Sequence, residues 1–371
     1  MSAQLLRLAM LGACGALLAA CGGGKPAASE ASGVVNVYNW SDYIDPAVLT
    51  DFTTETGIKV NYEVMDSNEL LETKLFAGRT GYDVVIPSTA FLARQIKAGI
   101  YRKLDKSLLP NLANLDPSLT QRLQVFDPGN EYSVNYMWGT SGIAYNEAKI
   151  SEAMPNAPVS SFAMLYDPQV VSQFAKCGVS ILDAPSEVIG TVLIYLGRDA
   201  NSERPEDLKA AEDVLMKIRP HVRLINSSRY IEDLANGEIC LALGWSGDVL
   251  QAHNRAVEAG NGVVVKYSIP EQGAMMFFDN MAIPEDAAHV DSAHRFIDYL
   301  LRPDVAAKNS SFLSYANSVA ASWSLIKPEV RNDPSIFPPP ELMTKLAPDL
   351  PESPEFTREL TRTWTRFRTG K

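Results

Sequence analysis

From Val34 onward, short apolar runs alternate with amphipathic stretches, the pattern of strands and helices taking turns along a chain. Val34 to Tyr38 is apolar, and Asp45-Pro46 and Gly57 are start and stop signals for a helix behind it. Ile58 to Met65 alternates with period two, as a strand does. Ser67 is placed to cap a second helix, NELLETKLFAG; Tyr82 to Ile86 is a short apolar strand; FLARQIKAG predicts a third helix that stops at Gly99. Strand and helix repeated in this order predict a mostly parallel sheet with right-handed crossovers.

YMWGTSGIAY (Tyr136 to Tyr145) holds two Gly and three aromatics without a helix signal, and predicts a strand that crosses into a second lobe. The alternation then resumes: Val179 to Leu182, a helix after Pro185, a helix from about Glu206 to Ile218, and a strand Ile239 to Gly244. The segment after GWSGD and the apolar stretch Ala274 to Pro284 predict a return to the first lobe, and a helical portion from HRFIDYLL closes the chain. The expectation is an α/β fold of two lobes, with 34–135 and 256–305 in the first and 136–255 and 306–371 in the second. Counting from Cys21 leaves 351 residues, enough for two cores, since one core stops growing near roughly 250 to 300 residues.

The region before Val34 changes the picture. Arg7 precedes thirteen small or apolar residues, Leu8 to Ala20, which as a helix would rise about 20 Å, too little for a bilayer core of roughly 30 Å. Residues 1–20 fit a cleaved export signal. Leu18-Ala-Ala-Cys21-Gly is similar to a lipobox, in which Cys21 is lipid-modified after cleavage; an ordinary signal with an incidental Cys fits the same residues. Residues 21–33 have no large apolar side chain and read as a flexible tether. The net charge of −11, about −12 once Arg7 is removed, repels phosphate backbones and favours encounter with a cation, so no nucleic-acid partner is expected. With Cys14 in the signal and Cys21 at its boundary, Cys177 and Cys240 remain. In an oxidising compartment they pair; two separate buried thiols are the alternative.

Candidate chemistry gathers at strand ends, where ligands bind in open α/β sheets. YNWSDY (Tyr38 to Tyr43) brings Trp40, Ser41 and Asp42 past the first strand, Ser88 follows the third, and GWSGD brings Trp245 and Asp248 past a strand of the second lobe. Glu187 and Asp279 are further acids near strand ends, accompanied by Phe277, Phe278 and Tyr315. Carboxylates that accept charge-assisted hydrogen bonds, beside aromatic faces, suit an organic cation, each cation–π contact being worth about 0.5 to 2 kcal/mol. An Asp after a strand also serves as a helix cap, and Asp248 before VLQAHNRA fits that role too. Recurrence of Trp with acid at two separate strand ends is what capping alone does not predict.

Catalysis fits poorly. Paired carboxylates with Trp would suit a glycosidase, but the sequence sets no separation between them. GWSGD lacks the G-x-S-x-G spacing that would make Ser246 a nucleophile. His221, His253, His289 and His294 show no metal-ligand spacing, and no P-loop or dinucleotide fingerprint is present, so neither metal nor cofactor is expected.

The strings VYNWSDYI, NYEVMDSNELLETKLFAG, GYDVVIPS, KCGVSILDAPSEV, YIEDLANGEIC, LGWSGDV and FFDNMAIP, with Arg302-Pro303, resemble the periplasmic polyamine-binding proteins of ABC importers, above all their putrescine receptors. The resemblance runs over nearly the whole chain after the tether. It implies a type II periplasmic binding protein fold, two α/β lobes of mixed, mostly parallel sheet flanked by helices, with ligand in the cleft between them. It implies an aromatic box of Trp40, Tyr43, Trp245, Phe277 and Tyr315, amine-facing Asp42, Glu187, Asp248 and Asp279, hydroxyl contacts from Ser41 and Ser88, and a Cys177–Cys240 disulfide. The implied partners are a polyamine and permease subunits in the inner membrane, with a monomer as the default for the class; the lipid anchor expected from the lipobox at Cys21 departs from many members, which diffuse freely. Ser186 departs from relatives that carry a second acid there. A polyamine sensor, or a receptor for another cationic solute, is the alternative use of the same fold.

Overall fold

The computed structural model describes residues 33–371; the expected signal, Cys21 and the tether ahead of Gly33 lie outside the described residues. Among the described residues no helix is long and apolar enough to cross a membrane.

Eleven strands are found among the described residues: β1 (Val34–Trp40), β2 (Lys59–Met65), β3 (Val84–Val85), β4 (Ser133–Asn146), β5 (Val179–Ile181), β6 (Leu224–Ile225), β7 (Leu241–Trp245), β8 (Val265–Ser268), β9 (Ala274–Ala282), β10 (Ala316–Asn317) and β11 (Leu346–Pro348). Hydrogen bonding connects them in the order β2-β1-β3-β9-β4-β7-β5-β6, with β8 and β10 on β4 and β11 on β9. β1 pairs in parallel with β2 and β3, and β5 with β6 and β7. Between these two parallel sets run β4 and β9, antiparallel to each other from Ser133 opposite Ala282 to Ser141 opposite Met275. The second half of β4, Ser141 to Tyr145, then pairs with β7. The strand expected to cross between lobes is thus β4, fourteen residues long, and β9 crosses beside it.

The capping chemistry follows the sequence closely. The Asp45 carboxylate accepts the Ala47 N–H ahead of helix Pro46–Thr56, and Gly57 ends that helix at a φ of +72°. Ser67 accepts the Leu70 N–H at the start of helix Asn68–Ala77. Ser88, at the start of helix Thr89–Lys97, makes no side-chain cap; its hydroxyl is used in the site described below.

The apolar side chains separate around the two parallel sets. Val35, Val37, Phe52 and Val84 share one core with Phe296 and Ile297. Ile181, Val188, Leu215, Leu241 and Leu243 share another. Two segments differ from the sequence expectation. β8, expected in the first lobe, buries Val265 in the second core beside Val249 and Ala252 of helix Ser246–Ala259, because β8 pairs with Ile143 to Asn146 of β4. Val305, Leu313, Tyr315 and Val319, expected in the second lobe, pack in the first core, where β10 pairs with Met137 and Trp138 of β4. The last helix, Pro354–Thr369, does place Leu360, Trp364 and Phe367 in the second core.

Cys177 and Cys240 form a disulfide, with Cα atoms 5.5 Å apart and 63 positions between them in sequence. It ties the turn ahead of β5 to the start of β7. Closing a loop of that length contributes about 4 kcal/mol on the chain-entropy model. Replacing both Cys with Ala is expected to lower the urea-unfolding free energy by about that amount, and a loss under about 1 kcal/mol would show that the loop is already restrained in the unfolded chain.

Candidate functional site

A cleft of about 800 Å³, open solvent at its mouth included, lies where the carboxyl ends of β1 and β7 face β9. Ten of the eleven side chains expected at the site line it: Trp40, Ser41, Tyr43, Ser88, Glu187, Trp245, Asp248, Phe277, Asp279 and Tyr315. The eleventh, Asp42, does not. It sits on the turn after β1 at a φ of +53°, and its carboxylate meets the Arg255 guanidinium at 2.5 Å outside the cleft. Tyr38 and Phe278 also stay out. Tyr38 lies two residues deeper along β1, stacked on Tyr82 with ring centroids 4.4 Å apart, and Phe278 points to the opposite face of β9 from Phe277 and Asp279.

The aromatic rings form a connected wall. Trp40 meets Trp245 edge to face at 5.8 Å, Trp245 meets Phe277 at 6.2 Å, Phe277 meets Tyr315 at 6.1 Å and Tyr315 meets Tyr43 at 4.9 Å. Trp40 is fixed by its indole N–H donating to the Ile86 carbonyl at 3.0 Å. Two glycines make room for the wall. A Cβ on Gly247 would come within 2.3 Å of the Tyr315 ring, and one on Gly139 within 2.7 Å of Phe277, so the glycine of GWSGD lets Tyr315 lie directly on the first turn of helix Ser246–Ala259.

Each inner carboxylate is held by neutral donors. Tyr43 and Ser88 donate to the two oxygens of Asp279 at 2.8 and 2.6 Å; Ser88 and Asp279 also form an isolated antiparallel bridge. Tyr315 and Tyr230 donate to the two oxygens of Asp248 at 2.7 and 2.9 Å. Helix Ser246–Ala259 has no side-chain cap, so Asp248 is a tyrosine-bound acid in its first turn rather than its cap. Glu187, in the first turn of helix Pro185–Tyr195, accepts from the Trp245 indole at 2.7 Å and the Ser141 hydroxyl at 2.9 Å.

Burial pushes both aspartates up to about 7 from an ordinary 3.8, against the pull of the hydroxyl hydrogen bonds. Glu187 is raised by burial too. The lining holds four further acids that the strand-end reasoning missed, Asp66, Glu69, Asp183 and Asp349, and, among the described residues, no Lys, Arg or His. Asp183 and Ser186 flank Ala184-Pro185 in the quoted DAPSE string, so a sequence signal existed for them; Asp349 follows the three-residue β11 and had none.

A deep cleft between two α/β cores joined by crossing strands, with acids and aromatic rings converging from both, defines a receptor for a small cationic solute. The chain belongs to the bacterial extracellular solute-binding protein family, whose model matches residues 47–338. It is 51% identical over 341 residues to the putrescine-binding periplasmic protein SpuD of Pseudomonas aeruginosa, covering 91% of this chain and 92% of that one. Identity to the putrescine-binding periplasmic protein PotF of Escherichia coli is 50% over 339 residues, with the same coverage. Among solved structures, the spermidine/putrescine ABC transporter substrate-binding protein PotD of Streptococcus pneumoniae superposes with a TM-score of 0.73 at 31% identity, covering 91% of this chain and 99% of that one. The mixed α/β periplasmic binding protein fold expected from the sequence is the one observed.

A carboxyl raised to about 7 in the folded protein keeps a proton that the unfolded chain releases near 3.8. The stability it contributes is therefore full below about pH 4 and is lost as the pH climbs toward 7. In the ligand-free protein, Asp279→Asn is expected to flatten the fall in melting temperature between pH 5 and pH 7.5. A profile identical to that of the parent would mean that Asp279 ionises freely.

Proposed function

We propose that this chain is the periplasmic receptor of an ABC importer, that it captures putrescine or a closely related amine, and that it hands it to the membrane permease. The observation that carries the reading is the lining itself: seven carboxylates and six aromatic rings with no basic side chain. The two relatives near 50% identity that are named for putrescine binding support the choice of ligand.

In this reading one ammonium sits against Asp248 and Asp279 and the other near Glu187, with Ser41 and Ser88 adding hydroxyl contacts. The methylenes between them lie against Trp40, Trp245, Phe277 and Tyr315. An unpaired buried charge costs several kcal/mol, so the cation and the carboxylates stabilise each other on binding. No covalent step is part of this function, and Asp42, paired with Arg255, is left out of the ligand set. We assign 34–139 and 276–336 to the first lobe and 140–275 and 346–371 to the second, following the two cores, with the cleft closing between them in a monomer.

Asp248→Ala is expected to weaken putrescine binding at least tenfold in calorimetry on residues 23–371; an unchanged affinity would remove Asp248 from the ligand set. For location we propose a lipid anchor on Cys21 rather than a free periplasmic protein. Cys21→Ala is expected to move the exported protein from the membrane pellet to the soluble fraction, and equal partition of the two would mean that no anchor is attached there.

A further inference from the structure

Asp248 has two tyrosine donors of different origin. Tyr315 lines the cleft and packs in the first core. Tyr230 does not line the cleft. It is the first residue of helix Tyr230–Ala235, is fully buried in the second core, and reaches Asp248 from there.

The Tyr230 hydroxyl is held at both of its ends. It accepts the Trp245 backbone N–H at 3.1 Å and donates to Oδ2 of Asp248 at 2.9 Å. Trp245 is the N-cap position of helix Ser246–Ala259, and Asp248 is the third residue inside it. In a capping box the side chain at that third position is a Glu or Gln and bonds the N-cap N–H directly. Asp is one methylene shorter, and the Tyr230 hydroxyl spans the remaining distance. Because the oxygen already accepts an N–H, its proton is aimed at the carboxylate, and the two bonds polarise each other. The ring has a prepared place: a Cβ on Gly244 would come within 2.8 Å of it, so the first glycine of LGWSGD lets Tyr230 lie against β7.

Tyr315 repeats the pattern from the other core. It accepts the Asp248 N–H at 3.2 Å and donates to Oδ1 at 2.7 Å. Tyr230 and Val249 of the Asp248 helix share the second core with Leu241 and Leu243 of β7, so the first pattern does not depend on how the lobes meet, whereas the second does.

We propose that Tyr230 is a positioning residue for amine capture, fixing the Asp248 carboxylate toward the cleft in the open receptor as in the closed one, with Tyr315 adding its hydroxyl only when the lobes meet. This rests on the amine-receptor reading above.

Other groups face Asp248 as well. Burial raises its carboxyl, the Tyr315 and Tyr230 hydroxyls pull it down, Asp42 on the turn after β1 pushes it up, and Arg255, two turns along the same helix, lowers it. Asp279 on β9 and Tyr43 sense its charge from the first core. Loss of either hydroxyl therefore raises the carboxyl further wherever that hydroxyl is in place.

The test begins with ligand-free protein carrying ¹³C at its aspartate carboxyl carbons, titrated by NMR; the Asp248 resonance is the one that Asp248→Asn removes. Tyr230→Phe is expected to move its midpoint upward, and Tyr315→Phe to leave it in place, because parted lobes keep Tyr315 off the acid. Gly244→Ala, which crowds the ring without removing its hydroxyl, is expected to move the midpoint the same way and serves instead if Tyr230→Phe does not fold. An unmoved midpoint in Tyr230→Phe, or a larger movement in Tyr315→Phe, overturns the proposal. Putrescine affinity is then measured by calorimetry across the same pH range. Tyr230→Phe is expected to weaken binding about tenfold near neutral pH, as loss of a hydrogen bond to a charged group does, and by a smaller factor at alkaline pH, where Asp248 is ionised in both proteins. A loss equal at every pH would mark a merely structural role and overturn the proposal. A parent that binds no putrescine overturns the receptor reading and this role with it, whereas a parent that binds beside an unaffected Tyr230→Phe overturns this role alone.

Discussion

The governing constraint is that carboxylates are buried together without a basic side chain beside them. Two like charges withdrawn from water repel each other and lose hydration, so the folded protein must supply donors, protons or a ligand cation. Tyr43, Ser88, Tyr230 and Tyr315 supply the donors to Asp279 and Asp248, and the indole of Trp245 and the hydroxyl of Ser141 do so for Glu187. These donors are neutral. They orient the oxygens and lower the penalty of burial without cancelling the charge, so both aspartates stay raised to about 7. A dication is the partner that resolves the remainder, and a neutral sugar would leave it in place.

That requirement explains features of the fold that packing alone does not. Asp279 reaches the cleft because β9 crosses between the two parallel sets with Phe277 and Asp279 on one face and Phe278 on the other. Tyr315 arrives from the first core to bind an acid on a helix of the second, and Gly247 keeps that approach open. Ser88 leaves its helix without a side-chain cap in order to donate to Asp279. A cap of this kind is typically worth about 1 kcal/mol. The segment therefore gives up local stability for the orientation of a buried acid, a concession that natural sequences make at functional sites.

Much of this was legible in the chain itself. The alternation of apolar runs marks β1, β2, β5, β7 and the crossing β4; Trp with acid at two strand ends marks Trp40, Trp245 and Asp248, and the family resemblance completes the ten cleft side chains. What the pattern missed has a common cause. β6 and β10 are two residues long and β11 three; unlike the equally short β3 and β5, which lie within the apolar segments Tyr82 to Ile86 and Val179 to Leu182, they stand in no longer apolar run and pair at the edge of a longer strand. Asp349 reaches the cleft through β11, so no local signal announces it. Asp42 failed in the other direction. Its neighbours face the cleft, but a left-handed turn swings its side chain out to Arg255, and sequence spacing carries no record of that change of direction. The lobe boundaries slipped at β8 and β10 for the same reason, since both are placed by their pairing with β4.

A receptor must also release what it holds, and the neutral donors bear on that step as much as on capture. When an ammonium leaves a carboxylate that had no other partner, a bare buried charge remains, and the barrier to release rises by most of its desolvation penalty. In the proposed reading the hydroxyls of Tyr43 and Ser88 stay on Asp279 and that of Tyr230 on Asp248, and a raised pKa lets a proton take the place of the departing cation near neutral pH. The tyrosines that donate to Asp248 come from the two different cores, Tyr230 from the second and Tyr315 from the first. Parting the lobes would take Tyr315 off Asp248 while Tyr230 stays, so opening the cleft weakens the anion's hold on its surroundings just as the ligand is exposed to water. In the proposed reading capture and release would both act on the two oxygens of Asp248, whose two tyrosine donors belong to different cores.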